Sequence, residues 1–96
     1  MLFFAVVCLL GPLVEELLFR GMLYQLLRRN APLWAAVGLS AGLFALAHAI
    51  PVLLPPLFIF GVALALVFEY TRSLYCSIFL HVLINSVAVY VGLSAR

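Results

Sequence analysis

The sequence has very little charge. Of its 96 residues three are Glu and five are Arg, and Asp and Lys are absent. Charged residues make up 8% of the chain and hydrophobic residues 69%, with a mean hydropathy of +1.35. A soluble domain carries roughly 25% charged residues. So little polar surface cannot cover a water-soluble globule, and the chain reads as one integral membrane domain over residues 1–96. A net charge of +2 with no basic stripe speaks against a nucleic-acid partner.

Other absences narrow the classes further. Cys8 and Cys76 are the two cysteines and have no C-x-x-C spacing, so both are expected to be small core residues without a chemical role. The opening run MLFFAVVCLL lacks a basic first region and a small-residue cleavage site, so it is expected to stay in the membrane. There is no repeat, low-complexity tract or soluble linker. Open sheet edges are not tolerated in lipid, which leaves helices.

The expected architecture is all-α, a polytopic transmembrane bundle of about four helices. A hydrocarbon core of about 30 Å needs roughly 20 apolar residues per helix. The first segment runs from Met1 to about Arg29, interrupted at Gly11-Pro12, where proline kinks or restarts a helix. The second runs from about Leu33 to Ala49. The third runs from about Pro56 to Tyr70, after the breaker PVLLPP, and the fourth from about Ser73 to Leu93. Arg28 and Arg29 in the first loop and Arg72 in the third fall on one side, which the positive-inside rule makes cytoplasmic. Arg96 alone opposes them, and the second loop, Ile50 to Pro55, has no charge. Gly38 and Gly42 form a G-x-x-x-G that predicts close approach of a neighbouring helix. The location this implies is the cell membrane, as a multi-pass protein in contact with the lipid bilayer. Nothing in the sequence sets an oligomeric state.

Against this background the stretch GPLVEELLFRG is anomalous. A charged side chain at the bilayer centre costs about 2.5 to 3.5 kcal/mol, so Glu15, Glu16 and Arg20 must be paired, wetted or used. Residues four apart share a helix face, so Glu16 and Arg20 are expected to form an ion pair that orients helices. Glu15 lies about 100° around the helix and has no such partner in its own segment.

Two further polar pairs stand inside apolar helices. FALAH sets Phe44 and His48 at i, i+4, and HVLIN sets His81 and Asn85 at i, i+4. At 1.5 Å per residue, Glu15 lies about 20 Å from the Arg28 end of its helix and His48 about 22 Å from the start of the second. His81 and Asn85 lie about 14 and 20 Å from Arg72. All four occupy one band of the membrane and can meet there. Glu69 and Arg72, three apart, are expected to form an interfacial pair of little energy.

A glutamate withdrawn from bulk water suits a general base, with a water as nucleophile. A histidine can assist proton transfer, and a histidine with an asparagine can donate to an oxyanion. No serine has a nucleophile-elbow context, and Ser40, Ser77 and Ser86 read as packing or capping residues. A zinc ion held by Glu15, His48 and His81 is the competing chemistry, although H-E-x-x-H is absent.

These motifs resemble those of the CAAX-protease and bacteriocin-processing family, intramembrane glutamate proteases that include the Ras-converting endopeptidases. EELLFR resembles the family's E-E-x-x-x-R, FALAH its F-x-x-x-H and HVLIN its H-x-x-x-N, in the same order, and TRSLYCSIFLH resembles the approach to the third motif. The likeness spans Gly11 to Asn85. It implies that Glu15 activates water, that Glu16 and Arg20 support it, and that His48 positions the water. It implies an oxyanion role for His81 and Asn85, and packing beside the site for Phe44. It also implies a membrane-anchored peptide or protein substrate, prenylated at its C-terminus or carrying a leader. No cofactor is expected, with zinc at Glu15, His48 and His81 as the competing reading. Family members usually have more transmembrane helices, so the chain resembles the family's core.

The expectation is therefore an intramembrane endopeptidase. A non-catalytic membrane scaffold or bacteriocin self-immunity protein of the same fold is the alternative. An ion or proton pathway is a third reading; it requires a polar trail to both membrane faces, and none continues past Pro51.

Overall fold

The computed structural model describes residues 2–94, so Met1 and Arg96 lie outside the described residues. The described residues form an all-α bundle of four helical runs. Helix α1 covers residues 2–30, α2 is Leu33–Ala47, α3 is Leu54–Thr71 and α4 is Leu74–Ser94.

The first helix is not broken at Gly11-Pro12. It runs on by changing its hydrogen-bond register, through π-helical turns at Val6–Leu10 and Phe19–Leu23. Proline has no N–H to give, and its ring rejects the carbonyl four residues back. The π turn removes that conflict by passing the bond to the fifth residue: the Gly11 N–H bonds the Val6 carbonyl. A Cβ at Gly11 would stand 3.2 Å from that same oxygen. Arg28 and Arg29, expected in a loop, sit in the last turn of this helix.

Helix α2 stops two residues earlier than expected. The Pro51 ring disfavours helical backbone at Ile50 (φ −123°, ψ 100°), and Ala49 takes a left-handed φ of 57°. His48 consequently caps the helix, with its ring Nδ1 2.8 Å from the Phe44 carbonyl. Helix α3 starts two residues before the expected Pro56. Prolines fit the first turn, whose N–H groups have no helical partner, so Pro55 and Pro56 start the helix instead of breaking it. A 3₁₀ turn at Pro51–Leu53 leads into it. The link from α3 to α4 is tight. Arg72 is left-handed (φ 55°) and donates its N–H to the Phe68 carbonyl at 2.7 Å.

Close approach of helices occurs, but not where the G-x-x-x-G predicted. A Cβ at Gly38 or Gly42 would meet nothing within 4 Å. At Gly61 of α3 it would stand 3.0 Å from the Ala41 Cα and 3.2 Å from the Phe44 ring. The tight contact therefore uses another face of α2, where Ala41, Phe44 and Ala45 are buried, against Gly61 of α3. Small residues let two backbones approach on whichever face carries them four apart. Tyr24, Ala36, Val37, Ala65 and Phe68 form a core cluster toward the arginine end.

Cys8 is buried as expected, but Cys76 is exposed and does not belong to the core. Long stretches of Leu, Ile and Val on the outside are exposed too, including Leu9, Leu46, Ile59 and Val91. The segments Pro51–Thr71 and Leu74–Gly92 are long and apolar enough to cross a membrane, while Leu33–Ala47 is apolar but shorter.

Candidate active site

Glu16 is the centre of a buried polar cluster. Its Oε2 accepts from Arg20 Nη1 at 3.1 Å and from His81 Nδ1 at 2.6 Å, and its Oε1 accepts from Ser77 Oγ at 2.5 Å. Glu16, Arg20 and Ser77 are fully buried and His81 is nearly so. The ion pair that the i, i+4 spacing predicted is present, and two α4 side chains complete the carboxylate's shell. Arg20 is tied twice more. Its Nη2 donates to the Gly61 carbonyl at 2.8 Å, and its guanidinium stacks 4.8 Å from the Phe44 ring centre. A buried pair is tolerable only when further bonds satisfy its remaining groups. The Nε of Arg20 is the one buried side-chain donor without a partner among the described residues.

The backbone changes register just beyond the two glutamates. The Phe19 N–H spans both the Glu15 and Glu16 carbonyls as α gives way to π. Such turns recur at functional sites because they re-aim the side chains beyond them.

Glu15 points to a different set of partners. Its Oε2 lies 3.2 Å from His48 Nε2 and its Oε1 lies 3.4 Å from His81 Nε2. Its side chain is 30% exposed, whereas that of Glu16 is at 0%. Glu15, His48 and His81 thus come together from α1, the end of α2 and the middle of α4, as the depth reckoning allowed. Phe44 packs edge-on against both imidazoles, with ring centres 4.9 Å and 5.8 Å away. Asn85 is half-buried and lines, with His48 and His81, an apolar cavity of about 280 Å³ walled by Leu53, Leu57, Phe60 and Ile84.

Hydrogen-bond chemistry places a hydrogen on Nδ1 of each ring. A carbonyl only accepts, so His48 Nδ1 carries a hydrogen for Phe44. Glu16 Oε2 likewise takes a hydrogen from His81 Nδ1. Both rings then turn Nε2 toward Glu15.

The zinc expectation finds Glu15, His48 and His81 in contact, but no group of three or more His, Cys, Asp or Glu among the described residues is arranged to hold a metal ion. Sequence reasoning missed Ser77, which was taken for a packing residue. Its signal was available: Ser77 precedes His81 by four and therefore shares its helix face. It also undervalued Glu69. That carboxylate accepts from Tyr24 Oη at 2.6 Å and Arg28 Nε at 3.3 Å as well as from Arg72 at 3.3 Å, so it joins α1 to α3.

Fold and site together define an all-helical apolar bundle with a carboxylate–imidazole centre drawn from three helices. Residues 1–87 match the family model described as type II CAAX prenyl endopeptidase Rce1-like. The match covers most of the chain, and the chain belongs to this membrane-integral family. No curated protein and no solved structure matches the chain.

Proposed function

We propose that the chain is the core of a multi-pass intramembrane endopeptidase that cuts membrane-anchored peptides with a water activated by Glu15. The observation that supports this reading is the meeting of one partly exposed carboxylate with two imidazoles from other helices. The His48 and His81 Nε2 atoms lie 3.2 Å and 3.4 Å from the Glu15 carboxylate.

In the reaction we infer, the water oxygen attacks the substrate carbonyl carbon as Glu15 takes its proton. The carbonyl electrons move to the oxygen, and Asn85 and His81 donate hydrogen bonds to that oxyanion. When the C–N bond breaks, the proton held by Glu15 passes to the departing amine. His48 holds the water from the other side. Glu16 and Arg20 are positioning residues, which hold the His81 ring in place through its Nδ1. The apolar cavity beside His48, His81 and Asn85 takes a hydrophobic substrate group. A prenylated C-terminus or a leader peptide, including that of a bacteriocin, has the required character. Membership of a CAAX prenyl endopeptidase family favours the first. The helices cross the bilayer with Arg28, Arg29 and Arg72 on the cytoplasmic side.

Reconstituted protein would be offered prenylated and unprenylated membrane-anchored peptides, as wild type, as Glu15→Gln and with a chelator. A general base contributes about 10²- to 10⁴-fold, so Glu15→Gln should lose activity by that factor while chelation leaves it unchanged. Loss on chelation with rescue by zinc would instead assign Glu15, His48 and His81 to a metal. A folded wild type that cuts nothing would point to a scaffold or immunity protein.

A further inference from the structure

A second polar site lies far from the first. Glu15 and Arg28 are thirteen residues apart on α1, about 20 Å along its axis. Near Arg28 the last turns of α1 and α3 enclose a cavity of about 370 Å³ lined by Tyr24, Gln25, Arg28, Arg29, Phe68 and Arg72. Three guanidiniums border it. Among the described residues the one carboxylate in contact with them is Glu69, which accepts from Arg28 Nε and Arg72 Nη2 at 3.3 Å each.

Glu69 offsets one of the three positive charges and uses one nitrogen of each arginine it touches. Arg28 Nη1 reaches the Ala31 carbonyl at 3.4 Å. Arg29 makes no hydrogen bond or ion pair among the described residues, and both Arg29 and Arg72 are exposed. About two positive charges and several N–H donors are therefore left for a ligand, in a fork geometry that matches phosphate oxygens.

A separate observation sets the level of this cavity in the membrane. Trp34 at the start of α2, Tyr70 at the end of α3 and Tyr75 at the start of α4 are 79%, 76% and 85% exposed. All three stand at the same end of the bundle as the arginines. Exposed Trp and Tyr rings collect at headgroup depth, where one part of the ring is wet and the other apolar. A basic cavity between helices at that depth faces lipid phosphates.

We propose that this cavity binds the phosphate of an anionic phospholipid headgroup, with Arg29 and Arg72 as the principal donors and Arg28 braced by Glu69. The proposal does not depend on the hydrolytic reading of the other site.

The full chain would be reconstituted in nanodiscs containing phosphatidylcholine and phosphatidylglycerol, then released and weighed intact with its retained lipid. The wild type should retain phosphatidylglycerol in preference to phosphatidylcholine. A basic residue near a membrane surface is worth about fivefold in binding, so Arg29→Gln with Arg72→Gln should reduce the preference by about 25-fold. Both positions are exposed, so the fold tolerates the change, and helical circular dichroism verifies it. Equal retention of the two lipids, or a preference unchanged in the variant, would overturn the proposal. Inorganic phosphate is the other arm: if it displaces the lipid and binds as tightly without acyl chains, the ligand is a soluble phosphate and the lipid assignment fails.

Discussion

His81 and Glu16 are 65 positions apart in the chain and share a buried 2.6 Å hydrogen bond. The same ring sets its other nitrogen 3.4 Å from Glu15, so one imidazole stands between two adjacent carboxylates in very different surroundings. Glu16 has three donors and no exposure. Glu15 has two imidazole nitrogens and is 30% exposed. Neighbouring residues of one type thus divide into a support and a candidate base, and this division leads to separate expectations.

Glu16→Gln should act on the fold before the chemistry. Removing one partner of a buried ion pair costs about 3 to 5 kcal/mol, because the other charge stays buried. Thermal unfolding in detergent should show that loss. Glu16→Gln combined with Arg20→Met should lose less than the two single variants added together, since the stranded charge is gone. An additive result would show that the pair is not coupled.

Ser77→Ala removes a hydroxyl that donates to a carboxylate at 2.5 Å. A hydrogen bond to a charged group contributes about 1.5 to 3 kcal/mol, and unfolding should be easier by that amount. Ser77→Thr keeps the donor and should recover most of it. If alanine and wild type melt alike, the hydroxyl is only a packing group.

Gly61→Ala tests the close approach of α2 and α3. The added methyl would stand 3.0 Å from the Ala41 Cα and 3.2 Å from the Phe44 ring. Overpacking costs about 1 to 3 kcal/mol. The displaced Gly61 carbonyl also serves Arg20, so cleavage should fall together with stability. Gly38→Ala meets nothing within 4 Å and should be near neutral in the same assay.

Tyr24→Phe isolates the junction at the arginine end. Tyr24 is buried, and its hydroxyl donates to Glu69 at 2.6 Å. Loss of that bond should cost about 1.5 to 3 kcal/mol in detergent unfolding. Cleavage per folded molecule should be retained, because Glu15 lies nine residues away on α1, about 14 Å along its axis. A selective loss of turnover at full stability would show that the two ends communicate.

How legible all this was depends on the distance over which each feature is decided. Composition alone excluded a water-soluble globule, because burial needs polar surface to set against it. The four helical runs followed from punctuation, and the Glu16–Arg20 pair followed from the 3.6-residue period, since both depend on neighbours within one turn or so. The helix ends were read less well. Proline has opposite effects at different positions: it ends α2 through Ile50 but starts α3 within its first turn, and at Pro12 a change to π geometry absorbs it.

The sequence by itself determined which residues were anomalous in an apolar chain, and so which could form a site: Glu15, Glu16, Arg20, His48, His81 and Asn85. Only the tertiary structure decided which atom meets which. It turned His81 so that Nδ1 faces Glu16 and Nε2 faces Glu15, brought Ser77 to Glu16 and the Gly61 carbonyl to Arg20, and made Glu69 a junction of α1 with α3. It also moved the close contact from Gly38 and Gly42 to Gly61. The reason is geometric. Helical periodicity relates side chains along one helix, but the rotation of one helix against the next is set by how small and large residues interlock across their interface. That interlocking involves residues far apart in the chain and leaves no periodic trace in the sequence.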